Sequence, residues 1–160
     1  MNAKPIIAFF LAFFVAASVA YMFVKSPGLE REVASGESEV FAVVEGVEPE
    51  LIVYYFYNNI RCATCSHLEA YTREALETHF AEEVAAGVIQ WRMLSMDDPT
   101  NEHYLIDYEL YSKSVVLARM RGGEELHFAN LEGIWDLVYD KADYLEYIRE
   151  NVQEFLGAAP

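Results

Sequence analysis

An uncharged run that ends in a pair of cysteines constrains this chain more than any other stretch. Ile52-Val-Tyr-Tyr-Phe-Tyr57 is β-branched and aromatic, as suits a strand buried on both faces. Asn58 and Asn59 break it. From Cys62 onward, Cys65, Leu68, Tyr71, Ala75, Leu76, Phe80 and Val84 recur at spacings of three and four, with Glu69, Arg73, Glu74 and Glu77 between them. That pattern predicts an amphipathic helix. Its N-terminus would hold Cys62 and Cys65, the only two cysteines in the protein.

The position has chemical consequences. The first turn of a helix leaves backbone N–H groups unpaired and carries partial positive charge, and both favour a thiolate over a thiol. Cys62 is therefore the expected reactive sulfur, with Arg61 adding positive charge nearby. Cys65 lies one turn inside, near enough to close a small ring and shielded enough to act as the resolving partner. Two cysteines three residues apart supply no structural disulfide framework, so a dithiol/disulfide couple is favoured over an inert bridge or two buried thiols.

Ahead of this unit, Ile6 to Val24 contains no charged residue. Nineteen residues at roughly 1.5 Å rise each match a hydrocarbon core of about 30 Å, so the run is long enough to span a membrane. A cleaved signal peptide is the competing reading, since Ser18-Val19-Ala20 offers small residues for a peptidase. The uncleaved anchor is preferred because Tyr21 to Val24 extend the apolar run past that site. Lys4 on one side, with Lys25 and Arg31 amid acids on the other, favours an inside N-terminus.

All 26 acidic residues and nine of the eleven basic ones lie beyond Lys25, leaving the remainder with a formal charge of −17. Nucleic acid is thereby an unsuitable partner. An exported domain would sit where disulfides form and persist, in a periplasm or outside the cell. Its expected partners are exported protein thiols or disulfides, or a membrane redox partner.

Residues 1–25 thus read as an anchor or signal peptide, 26–49 as an acidic linker, and 50–160 as the folded domain. The linker carries seven glutamates among its prolines, glycines and serines, up to Glu50. Within it, Val40-Phe-Ala-Val-Val44 is either an edge strand or a sticky patch in the tether. Gly87 stops the cysteine helix, and Val88 to Leu94 follows as a second strand. Asp98 and Pro99 start another helix, with Leu105, Tyr108 and Leu110 or Tyr111 facing inward, ending near Ser112. Ser114–Met120 and Glu125–Ala129, around Gly122-Gly123, predict a hairpin. Leu131, Ile134, Trp135 and Val138 describe a short helix, and Leu145, Ile148, Val152 and Phe155 a longer terminal one.

The order strand, helix, strand, helix, strand, strand, helix, with Cys62-Ala-Thr-Cys65 at the first junction, resembles the thioredoxin-like superfamily over roughly residues 50–156. The resemblance implies an α/β domain of three layers around a mixed sheet, and thiol–disulfide oxidoreductase activity through Cys62 and Cys65. It implies no cofactor, and no flavin signature is present. Tyr54-Tyr55-Phe56, Arg61 and Ile134-Trp-Asp-Leu-Val138 are similar to the ArsF-like proteins, also called nitrophenyl compound nitroreductase subunits.

Two departures from the thioredoxin pattern stand out. The family's cis-proline beside the cysteines has no counterpart in Tyr108 to Val115, where Ser114 takes its place. The acidic residue that thioredoxins bury on the first strand is replaced by Tyr55 or Phe56, so proton transfer needs water or another group. The lost proline and the ArsF-like similarity motivate an alternative, in which Cys62, Cys65 and His67 hold a soft ion such as copper, zinc or arsenite. Met93 and Met96 could join such a set, though packing is their simpler role. His67 and His79 otherwise read as surface helix residues. A third reading keeps the fold as a binding module with an idle disulfide. Tyr54 to Tyr57, Tyr104, Tyr108, Tyr111, Trp91 and Trp135 are assigned to packing.

Overall fold

A computed structural model of the chain describes residues 40–41, 44, 46–60 and 62–157. The expected anchor over residues 6–24, most of the linker and Arg61 lie outside the described residues.

The uncharged run forms strand β2 (Leu51–Tyr57), which lies in the middle of a five-stranded sheet ordered β1-β3-β2-β4-β5. Strand β3 (Ile89–Ser95) pairs with it in parallel, Leu51 opposite Ile89 and Tyr57 opposite Ser95. On its other side β4 (Ser114–Arg121) runs antiparallel, Phe56 opposite Ser114. Strand β5 (Glu124–Asn130) pairs antiparallel with β4 and forms one edge. Val40–Phe41 forms β1, antiparallel to β3 at the other edge, so this island is a strand rather than a patch in a tether.

With neighbours on both edges and helices on both faces, β2 has no side open to water, which is why its sequence does not alternate. Leu51, Val53 and Tyr55 face one core, against helix α1 (Ala63–His79) and the terminal helix α5 (Lys141–Gly157). Ile52, Tyr54 and Phe56 face a smaller core with Tyr108 and Leu110. A 3₁₀ turn (Pro99–Asn101) and helix α3 (Glu102–Asp107) lead into that second core. Two helical layers around a mixed sheet, with a parallel β2/β3 crossover followed by the antiparallel β4/β5 pair, make this a thioredoxin-like fold.

Helix boundaries depart from the sequence pattern in three places. The cysteine helix does not run through to Val84: Phe80 leaves helical geometry and a short α2 (Ala81–Ala85) follows. Phe80 is buried, and the break lets both it and Val84 reach the core. Gly87 closes this segment at φ +77°, where a Cβ would meet Val44 Cβ at 3.0 Å, so only glycine suits the position. Helix α3 ends at Tyr108, not near Ser112, because Glu109 turns left-handed at φ 53°. The Leu110 N–H then bonds back to the Leu105 carbonyl at 2.9 Å, closing the helix in the Schellman manner with glutamate where glycine is usual. Tyr108 and Leu110 are consequently buried, while Tyr111 is 94% exposed rather than packed inward.

The hairpin is as expected, with positive φ at both Gly122 and Gly123, the geometry of a two-residue type I′ turn. In the short helix α4 (Ile134–Leu137) Ile134 is buried, but Trp135 faces outward at 37% exposure.

Helices α1 and α5 are joined by a buried polar contact that periodicity does not reveal. Thr72 Oγ1 and Tyr144 OH lie 2.9 Å apart, and both reach the Leu68 carbonyl, at 2.7 and 3.1 Å. Burial pushes the Tyr144 phenol above its ordinary value near 10, and the same cause raises Tyr54 and Tyr108. A raised folded value leaves stability intact below the unfolded value and removes it as pH rises, since unfolded tyrosines ionise first. Urea midpoints should therefore fall above about pH 10, and Tyr144→Phe should lessen the slope of that fall. An unchanged slope would show that Tyr144 titrates alike in both states.

Candidate functional site

The cysteine pair sits where the loop after β2 enters α1. Cys62 is the N-cap, extended at φ −134° and ψ 160°, and its Sγ accepts the Cys65 N–H at 3.1 Å. A sulfur in this place takes up one of the donors that every helix start leaves unsatisfied, so negative charge on it is favoured. The two cysteines are joined by a disulfide, with Cα atoms 5.1 Å apart. Cys62 is exposed and Cys65 is only 9% exposed. The arrangement offers one sulfur to an incoming partner and shields the other.

Strand β2 supports this turn from beneath. Tyr55, not Phe56, faces the cysteine helix, and its OH donates to the Cys65 carbonyl at 3.0 Å. Its ring stacks on Trp91 of β3 at 6.0 Å and 10° between planes. A phenol on the strand beneath thus anchors the first helical turn.

Two further residues reach the site: Lys113, which no sequence pattern picks out, and Trp135, which the pattern assigns to packing. Lys113, in the loop before β4, is 6% exposed, and its Nζ donates to the Ile60 carbonyl in the loop that leads to Cys62. It lines a small pocket with Tyr55, Tyr57, Asn58, Cys65 and Glu69. The Lys113 carbonyl in turn accepts the Trp135 indole N–H at 3.1 Å, so α4 holds the loop in place. One signal was available: Lys113 is the only lysine or arginine between Arg92 and Arg119, and it stands directly before an apolar strand. Trp135 also lines a groove of about 220 Å³ with Glu109, Tyr111, Ser114 and Glu132. Ser114 therefore borders this groove, and its hydroxyl bonds the Ser112 carbonyl at 3.0 Å.

The remaining candidates lie apart from the sulfurs. His67 is exposed and its ring stacks on Tyr71 at 5.1 Å. His79 is in the last turn of α1. Among the described residues, no three His, Cys, Asp or Glu side chains are grouped so as to hold a cation. Met93 is in the main core, with an Arg73 Nη2 contact to its sulfur at 3.7 Å, and Met96 packs at the rim of the second core.

No family model matches the sequence, and no curated protein does. The ArsF-like similarity accordingly finds no support. Among solved structures, the likenesses in part include these two. One is described as the structure of a malarial protein, 16% identical over 62% of this chain and 94% of that one, with a TM-score of 0.38. The other is the solution structure of a thioredoxin from Thermus thermophilus, 17% identical over 66% of this chain and 76% of that one, with a TM-score of 0.42. Likenesses this small carry no argument by themselves. The thioredoxin-like architecture stands on the strand order, the parallel crossover and the cysteine pair at the start of its helix.

Proposed function

We propose that this protein is a membrane-anchored, exported thiol–disulfide oxidoreductase, with Cys62 and Cys65 as its catalytic residues. The single observation that supports it most is the pairing of an exposed N-cap sulfur, Cys62, with a buried one, Cys65, whose N–H points at it. In the reducing direction, the Cys62 thiolate attacks one sulfur of a partner disulfide, and the partner's other sulfur leaves as a thiolate. Cys65 then loses its proton and attacks Cys62, releasing the second partner sulfur. Two electrons and two protons pass to the partner, and the Cys62–Cys65 disulfide remains. The opposite direction runs through the same mixed disulfide.

The uncharged Ile6 to Val24 run supports a single-pass anchor with the N-terminus inside and the acidic domain outside, facing exported protein thiols or a membrane redox partner. Fractionation tests both parts. The chain should remain with membranes, its N-terminal sequence intact, and protease added outside spheroplasts should digest residues beyond Lys25. The purified chain should exchange disulfides with a dithiol. A domain protected from outside protease, with both thiols reduced, would overturn the exported reading, and a soluble chain beginning at Tyr21 would replace the anchor with a cleaved signal peptide.

A further inference from the structure

A thiol–disulfide cycle needs its second cysteine to lose a proton while shielded from water. Burial alone opposes that, because it favours the neutral thiol. Tyr55, beneath the first turn of the cysteine helix, donates its hydroxyl hydrogen to the Cys65 carbonyl and so bonds the helix backbone rather than the thiol. The structure nevertheless buries a basic side chain at this spot. Lys113 lines the pocket that Cys65 lines, and it is held from two sides, by its own Nζ on the Ile60 carbonyl and by Trp135 on its backbone carbonyl.

We propose that Lys113 is a positioning residue for the resolving step: it places positive charge beside Cys65 and ties down the loop that presents Cys62. This rests on the oxidoreductase reading of the pair. The charge acts when Cys62 is bound to a partner and Cys65 must attack. A nearby cation lowers the cost of the Cys65 thiolate, so a larger fraction of the resolving sulfur is ionised at neutral pH. The bond to Ile60 keeps the Cys62 sulfur in line for that attack. The other groups facing the pocket are Ser66 and Glu69 from α1, Tyr55 and Tyr57 from β2, and Asn58 from the loop. Glu69 is the acid among them, so the charge on Lys113 opposes a carboxylate as well as burial.

The test is stopped-flow reaction of the reduced full-length chain, in mild detergent, with the aromatic disulfide DTNB. Attack by Cys62 releases a first equivalent of thionitrobenzoate and leaves the second on Cys62. Attack by Cys65 releases that second equivalent and forms the Cys62–Cys65 disulfide. Lys113→Met should slow the second phase by about threefold or more at pH 7, since one pKa unit lowers the thiolate fraction tenfold while the more basic thiolate regains about threefold in nucleophilicity, and should move its pH midpoint upward. The first phase should change far less, and Lys113→Arg should restore the second. A second phase within about twofold of the unaltered chain, or both phases slowed equally at an unchanged midpoint, would overturn the proposal. Should the variants fail to fold, the unaltered chain decides: a second-phase midpoint below the free thiol value of about 8.5 supports it, and one at or above that value overturns it. Absence of any second release from the unaltered chain would instead remove the redox pair, and the role of Lys113 with it.

Discussion

Cys62→Ala will abolish disulfide exchange, while Cys65→Ala will stall it with a partner bound. The difference comes from where the two sulfurs sit. Cys62 is exposed at the helix N-cap, and its sulfur receives an N–H from the first turn, so it is the one that can meet a partner as a thiolate. Without it, Cys65 is too buried to begin an exchange. Without Cys65, the mixed disulfide on Cys62 has no internal attacker and persists until an outside thiol arrives. In cells, the Cys65→Ala chain should therefore run on non-reducing gels as larger species that a reductant collapses, and the Cys62→Ala chain should not. Adducts on both variants in equal amounts would remove the assigned order of attack. Neither change should unfold the domain, because closing so short a loop constrains the unfolded chain by only about 2 kcal/mol.

Trp91→Ala is expected to have the largest effect on stability, about 3–5 kcal/mol. Trp91 is 1% exposed on β3, between the sheet centre and helices α1 and α2, and its ring stacks on Tyr55. Removing the indole leaves a cavity that rigid neighbours cannot fill, and it loosens the phenol that holds the Cys65 carbonyl. Thermal unfolding should show a midpoint lower by roughly 10–20 °C for a domain of this size. Trp91→Phe should cost well under half as much, for a specific reason. The indole N–H of Trp91 is buried without a hydrogen-bond partner among the described residues, and phenylalanine removes that unmet donor along with part of the ring. Equal losses for the two variants would show that the N–H is satisfied in solution.

Much of this architecture was legible because local chemistry and global fold agree. The uncharged run Ile52–Tyr57 reads as a strand buried on both faces, the three-and-four spacing after Cys62 as a helix, and Gly122-Gly123 as a tight turn. Together they place two cysteines at a helix N-terminus from spacing alone. These features are set by neighbours in the chain, and periodicity reports them directly.

What periodicity could not reach was decided by surfaces that meet only in the folded molecule. Phe80 interrupts a pattern that runs smoothly past it, because the core offers a place for its ring outside helical geometry. Glu109 ends α3 in the left-handed region although nothing in its residue type asks for it, and so Tyr111 turns outward while Tyr108 turns in. Lys113 is the clearest case: a lysine reads as surface in any sequence window, yet the register of β4 against β2 carries it under the cysteine loop, where the Ile60 carbonyl receives it. Sequence by itself determined the elements and the reactive pair, since those depend on spacing along the chain. Tertiary structure alone decided what surrounds the pair, since burial and charge proximity depend on which strands lie side by side.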